Sequence, residues 1–180
     1  MIGEGLSWQQ MLYRTRQFFF GLTARPAAED LAQARRILSA PQMALFLQMQ
    51  PGEQAHSLLV MRKLLAQGET DSHLLTAALL HDVGKIRGRL RIWERSLIVI
   101  GKDLFPARVK AWGRGALRGW QRAFVIAEQH PEWGASLAQE AGVSPQAVAL
   151  IRYHQSHFPA GAEPVSVGLL RKLQIVDDES

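Results

Sequence analysis

His81 and Asp82 stand side by side at the end of a strongly apolar run, Leu74-Leu75-Thr76-Ala77-Ala78-Leu79-Leu80, and Val83-Gly84-Lys85 follows them. An imidazole nitrogen beside a carboxylate oxygen is a ready pair of metal ligands. Removing both groups from water at the end of a buried helix is costly unless they are paired or metallated. Lys85 comes four residues after His81, so a helical turn that persists that far brings its ammonium near whatever the metal binds. A neighbouring His and Asp also make an ordinary helix-end hydrogen bond, so the pair gains weight only with further ligands at workable places. His56, His130, His154 and Asp177 meet that condition, because each adjoins or interrupts an apolar helical stretch.

The elements that must position these groups are helical nearly throughout. Trp8 to Leu22 has an amphipathic pattern that Arg25-Pro26 breaks. A second helix is expected over Ala27 to Leu38, with Glu29 and Asp30 in its first turn as the helix dipole favours. Ser39 and Pro41 open a short third helix. Pro51 starts the next, Glu53 to Gln67, which carries His56 in its first turns and stops at Gly68. Asp71 or Ser72 caps the helix that ends at His81. Only Arg87 to Trp93 shows any strand-like alternation. Pro106 to Gln129 has a helical apolar stripe, and Lys110, Arg114, Arg118 and Arg122 recur every four residues beside it. Gly113, Gly115 and Gly119 weaken it by up to ~1 kcal/mol each, which predicts a break. Pro131 is expected to start a new helix running to Ala141. Ser144-Pro145 caps a helix over Gln146 to Tyr153 that delivers His154, and a last helix over Pro164 to Val176 delivers Asp177. These spacings predict an all-α, single-domain helical bundle. Trp93, Trp112, Trp120 and Trp133 are expected in its core rather than as stacking platforms.

Composition narrows the chemistry. The chain has 180 residues, 47% of them hydrophobic, enough for a real core. It has no cysteine, which excludes a disulfide scaffold and any thiolate site, so a metal here must use His, Asp, Glu and water. The first 22 residues lack the order of a signal peptide and no stretch approaches ~20 apolar residues, so a cytoplasmic location is expected. The net charge of +5 is uneven: Lys85 to Arg122 holds eleven Lys/Arg against Glu94 and Asp103, and the rest of the chain is therefore acidic. A positive field beside a metal site suits a phosphate-bearing substrate. A basic segment with tryptophans could also lie on an anionic membrane surface. No feature points to a specific nucleic acid, and nothing fixes an oligomeric state.

Five pieces stand in order: Glu53-Gln54-Ala55-His56-Ser57, Leu79-Leu80-His81-Asp82-Val83-Gly84-Lys85, His130-Pro131-Glu132-Trp133-Gly134-Ala135, Arg152-Tyr153-His154 and Gln174-Ile175-Val176-Asp177. In this order they resemble the HD-domain superfamily of metal-dependent phosphohydrolases, over roughly Glu53 to Asp177. The resemblance implies that His56, His81, Asp82 and Asp177 hold one divalent ion. It also implies that His130 and His154 complete a second site, with Asp82 bridging. Fe, Mn, Zn, Co and Ni all suit such ligands. Two ions ~3.5–4 Å apart clamp the attacking and leaving oxygens of a phosphoryl displacement and activate its water. The implied activity is hydrolysis of a phosphomonoester or phosphodiester, a nucleotide above all. Asp82 and Lys85 would be its catalytic groups, and Lys85, Arg87 and Arg89 a phosphate cradle. His157, in a Pro/Gly loop, is a further candidate substrate contact. Residues 1–50 are read as a helical extension on the core and 51–180 as the metal-binding domain, with a basic insert at 87–122.

The chain departs from the cyclic-dinucleotide-cleaving HD-GYP branch. Gln155-Ser156-His157-Phe158-Pro159 stands where that branch has a second histidine and then its Gly-Tyr-Pro signature, and Gly52 replaces the glutamate of three-metal members. Neither a third metal nor cyclic di-GMP is expected. A regulatory module that binds a nucleotide or anion with little catalysis is the alternative, and a metal-free bundle with hydrogen-bonded histidines is the third.

Overall fold

The computed structural model describes residues 25–159, 161 and 164–180, and within them every regular element is helical. The helix expected over Trp8 to Leu22 lies outside these residues. Helix α1 (Ala28–Ile37) has Glu29 and Asp30 in its first turn and Arg35 and Arg36 in its last, matching both ends of its dipole. Helix α2 (Ala40–Phe46) opens where Ser39 N donates to Gln42 Oε1 at 3.1 Å. Helix α3 (Pro51–Ala66) begins with proline at its first position, where no backbone donor is needed, and Gly68 ends it at φ +83°. Helix α4 (Ser72–Leu80) is capped by Asp71, whose Oδ1 accepts from Leu74 N at 2.9 Å.

All seven residues from Leu74 to Leu80 are buried. A helix that is apolar on every side belongs in the middle of a bundle, and α4 lies there. It packs against α3, α8 (Pro145–Tyr153) and α9 (Pro164–Asp178). One core joins Leu58, Met61 and Leu64 of α3 to Leu79, Leu150, Ile151 and Leu173. Ala34 and Phe46 sit in the same core, so α1 and α2 share it. Burial of each such leucine stabilises the fold by about 2 kcal/mol.

After α4 the chain tightens into a 3₁₀ turn, Val83–Arg87, that lies on α7 (Arg122–Glu140). A Cβ added at Gly84 would stand 1.9 Å from the His130 carbonyl oxygen and 2.6 Å from Gly134 N. The two backbones can approach only because residue 84 lacks a side chain, and a Cβ at Gly134 would be tight as well, 3.1 Å from Gly84 N. The glycines of the His-Asp-x-Gly-Lys and His-Pro-Glu-x-Gly stretches therefore meet each other, and their contact fixes the end of α4 against the middle of α7.

Three expectations need correction, and one break stands where it is expected. Arg87 to Trp93 is not a strand: the 3₁₀ turn covers its start, and α5 (Ile92–Leu104) begins before its end. Pro106 to Gln129 breaks at its glycines as expected, into α6 (Pro106–Trp112), a glycine-bearing turn and a 3₁₀ segment, Gly119–Gln121, before α7 begins. Pro131 does not start a helix but lies inside α7. Trp93 and Trp120 are not core residues: they are 53% and 54% exposed, because the segment that carries them packs through other groups.

Candidate metal centre

Each candidate ligand sits where the fold can aim it. His81 follows the last turn of α4, with Asp82 leading into the 3₁₀ turn. His56 is on α3, His130 is mid-way along α7, His154 follows the end of α8, and Asp177 is in the last turn of α9. These six side chains converge in two groups. His56, His81 and Asp177 form one, and Asp82, His130 and His154 the other, with the potential ligand atoms of each group within 4.8 Å of one another. His56 Nε2 lies 2.8 Å from Asp177 Oδ1, and His81 Nε2 lies 3.3 Å from the same oxygen. His130 Nε2 is 3.3 Å from Asp82 Oδ1, while His81 Nε2 is 3.7 Å from Asp82 Oδ2. Asp82 thus stands between the groups.

Main-chain carbonyls fix the ring tautomers. His81 Nδ1–H donates to Ala78 O at 2.9 Å, and His154 Nδ1–H to Ile151 O at 2.7 Å. His130 Nδ1–H reaches Ala127 O at 3.0 Å and Ile126 O at 3.1 Å. A carbonyl only accepts, so Nδ1 keeps its proton and Nε2 is the nitrogen turned into the site, with a lone pair on neutral His130 and His154 and on His81 once a cation replaces its second proton. Pro131 sharpens this at His130. It has no N–H to give to the carbonyl four residues back, that of Ala127, and the His130 ring takes that carbonyl instead. The helix thus continues through a proline while one of its freed acceptors orients a candidate ligand.

The donors left over fit a cation. His130 Nε2 and His154 Nε2 face each other at 3.3 Å, two lone pairs in contact unless something positive lies between them. His81 Nε2 is buried and makes no well-formed hydrogen bond, with Asp177 Oδ1 at 3.3 Å. Two carboxylates and four imidazoles, with no sulfur, are the set that divalent first-row metals accept.

The electrostatics agree. Burial opposes a charge on His81, but Asp177 and Asp82 outweigh it and raise this histidine to about 9. Burial lowers His154 to about 3, and the neighbouring His81 and His130 push in the same direction. Burial also lowers His130, with Lys85 adding to the effect against the pull of Asp82. For Asp82, burial favours the neutral acid, yet Lys85, His81 and His130 hold it well below the usual carboxylate range. Asp177 is likewise held low, by His81 and His56 against burial. The pocket therefore keeps both carboxylates ionised and draws positive charge inward.

The remaining site residues are placed differently. Lys85 Nζ donates to Asp82 Oδ2. Arg87 and Arg89 are exposed on the same turn and just beyond it. His157 is in neither ligand group; it is exposed and lines a separate groove with Phe158, Arg171 and Gln174. Sequence reasoning missed Glu53, one turn before His56. It is buried, pairs with Arg95 of α5 at 2.7 Å, and leaves its Oε2 without a partner. Burial raises its pKa, and the charge of Asp82 adds to this against Lys85 and Arg95. Its only sequence signal is its position next to a candidate ligand.

The HD-domain family model matches residues 54–178, well over half of the chain. The chain belongs to the HD-domain family. No curated protein and no solved structure matches it significantly. HD domains are a superfamily of metal-dependent phosphohydrolases that bind divalent ions, and the match takes in all six converging side chains. It leaves α1 and α2 outside the matched span, although they share the core.

Proposed function

We propose that this HD domain hydrolyses a phosphomonoester or phosphodiester, a nucleotide in the first place, at a pair of divalent ions. The first would be held by His56, His81 and Asp177, the second by His130 and His154, with Asp82 shared between them. The observation that carries the reading is the Nδ1 locking of three histidines, which turns three buried Nε2 atoms toward two ionised carboxylates. Divalent ions bound there would polarise a phosphoryl oxygen and bring the pKa of the attacking water towards neutrality.

This chain's own residues supply the rest. Asp82 holds Lys85 at the edge of the cluster, where its ammonium can meet a phosphate oxygen. Arg87 and Arg89, exposed nearby, add charge for a substrate with more than one phosphate, which supports a nucleotide. No helix among the described residues is long and apolar enough to cross a membrane. A nucleotide substrate goes with a cytoplasmic location, and residues 1–50 with a structural extension of the 51–180 domain.

The test is a screen of protein loaded with Mn, Fe, Co or Ni against p-nitrophenyl phosphate, its bis-ester and the common nucleotides. His81→Ala and Asp82→Ala are expected to lose bound metal and at least ~10³-fold in rate while keeping their helicity. Full activity in both variants overturns the assignment. Metal and nucleotide binding without turnover would leave a regulatory module in place of an enzyme.

A further inference from the structure

Helix α5 buries two charged side chains while leaving an apolar stripe outside. Glu94 and Arg95 are buried at 3% and 8% exposure, while Ile100 and Leu104 are 54% and 61% exposed. Positions 93, 100 and 104 fall on one stripe of an α-helix, being seven and four residues apart. The outward stripe is thus Trp93, Ile100 and Leu104. The inward charges are compensated: Glu94 accepts from Arg91 N at 2.7 Å and from Arg122 Nη1 at 2.6 Å, and Arg95 reaches Glu53. These bonds, with Leu97 and Ile98 packed against the cluster of Leu90, Ala123 and Ile126, hold the helix with that stripe outward. The patch continues past the helix end. Phe105, half exposed, has its ring 6.0 Å from Trp112, which lies 5.2 Å from the exposed Trp120.

The charge around this patch has one sign. Between residues 87 and 118 eight exposed Lys/Arg side chains, Lys102, Lys110 and Arg114 among them, stand against one exposed acid, Asp103. A second copy of the chain would bring the same positive charge against itself. The phosphates of a nucleic acid would suit the charge, but they have no use for an aliphatic stripe of Ile100 and Leu104. A bilayer surface offers both anionic headgroups and an apolar layer just beneath them.

We propose that the 92–120 segment docks this domain onto an anionic membrane, with Trp93, Ile100, Leu104 and Trp120 entering the headgroup–acyl boundary and the surrounding basic side chains meeting lipid phosphates. The face is peripheral, and its partner is the lipid surface rather than free phosphate.

The test is sedimentation of the full chain with vesicles of phosphatidylcholine containing about a third phosphatidylglycerol, against phosphatidylcholine alone. Binding is expected to the anionic vesicles, about tenfold weaker to the neutral ones, and reduced about tenfold by the double substitution Ile100→Ser with Leu104→Ser. Both positions are exposed, so that variant should melt with the wild type. Inorganic phosphate at millimolar concentration should not release the protein, and lipids brominated near the headgroup should quench its tryptophan fluorescence less in the Trp93→Phe, Trp120→Phe variant. Failure to bind anionic vesicles overturns the proposal, including the case in which residues 1–24 or a second copy already cover the face. Binding that survives the double serine change, or that phosphate abolishes, overturns it as well, as does RNA binding of equal strength that the same serines weaken.

Discussion

The two halves of this domain treat polar residues in opposite ways. Around α4, α7 and α8, apolar side chains fill the interior and the few buried polar groups converge on one cluster. In α5 Glu94 and Arg95 are buried beside the inward Leu97 and Ile98, and Trp93, Ile100 and Leu104 face outward. Both arrangements satisfy their buried charges, one through a candidate metal site and the other through ion pairs. What differs is where the apolar area goes. The first half buries nearly all of its apolar side chains, and the second leaves a stripe of them exposed.

The sharpest way to break the first half is at the glycine contact. Gly84→Ala places a methyl group 1.9 Å from the His130 carbonyl oxygen, against backbone that cannot swing away. Denaturant unfolding should show a loss above ~3 kcal/mol, together with loss of bound metal, since overpacking here moves His81 and His130 apart. A variant as stable as the wild type would mean that the turn and α7 are not held in register.

The next contrast sets one leucine against another. Leu79→Ala, fully buried in α4, should cost about 2–5 kcal/mol by chemical denaturation. Leu104→Ala, 61% exposed, should fall within about 0.5 kcal/mol of the wild type. Similar costs at both positions would erase the distinction between the halves and show that α5 is covered in solution.

The smallest effect is in the pH dependence of the metal-free protein. His154 has a folded pKa of about 3, below its ordinary value near 6.5, so the folded state binds fewer protons and stability falls as pH drops from about 6.5 towards 3. His81 lies the other way. Raised to about 9, it contributes stability that is complete below about 6.5 and is lost as pH rises through 9. Melting in the presence of chelator should therefore peak near neutrality and decline on both sides by several degrees. Excess divalent metal, taking the place of the His81 proton, should flatten the alkaline arm. A chelator-treated melting point constant from about pH 6 to about pH 9.5 would argue against the charge arrangement described for the cluster.

Much of the bundle is legible in the sequence because its polar interruptions are rare. A histidine at the end of Leu74–Leu80 has few uses, and six such positions in family order narrow them further. The caps at Asp71 and Ser144 and the stop at Gly68 follow from local chemistry and stand at the helix ends where their residue types place them. Pro131 misleads because a proline after a polar pair reads as a helix start. What lets the helix run on is a side chain, the His130 ring, taking up a carbonyl that the proline frees, and no local pattern encodes that. The insert misleads for a different reason. An apolar side chain on a helix does not by its type say which way it faces, and Trp93 is expected inside while the bonds of Glu94 and Arg95 turn it out. Glu53 is hidden likewise, since its partner Arg95 is forty-two residues away.

The missing N–H at Pro131 sets thermal tolerance against ligand affinity. Pro131→Ala gives Ala127 back its ordinary helical partner and improves local helix propensity by about 3 kcal/mol. It also makes the His130 imidazole compete for an acceptor it otherwise holds without a backbone rival. Anyone hardening this protein against heat by removing prolines from helices would choose this position early, and would obtain a sturdier molecule in which the candidate ligand His130 is held less firmly.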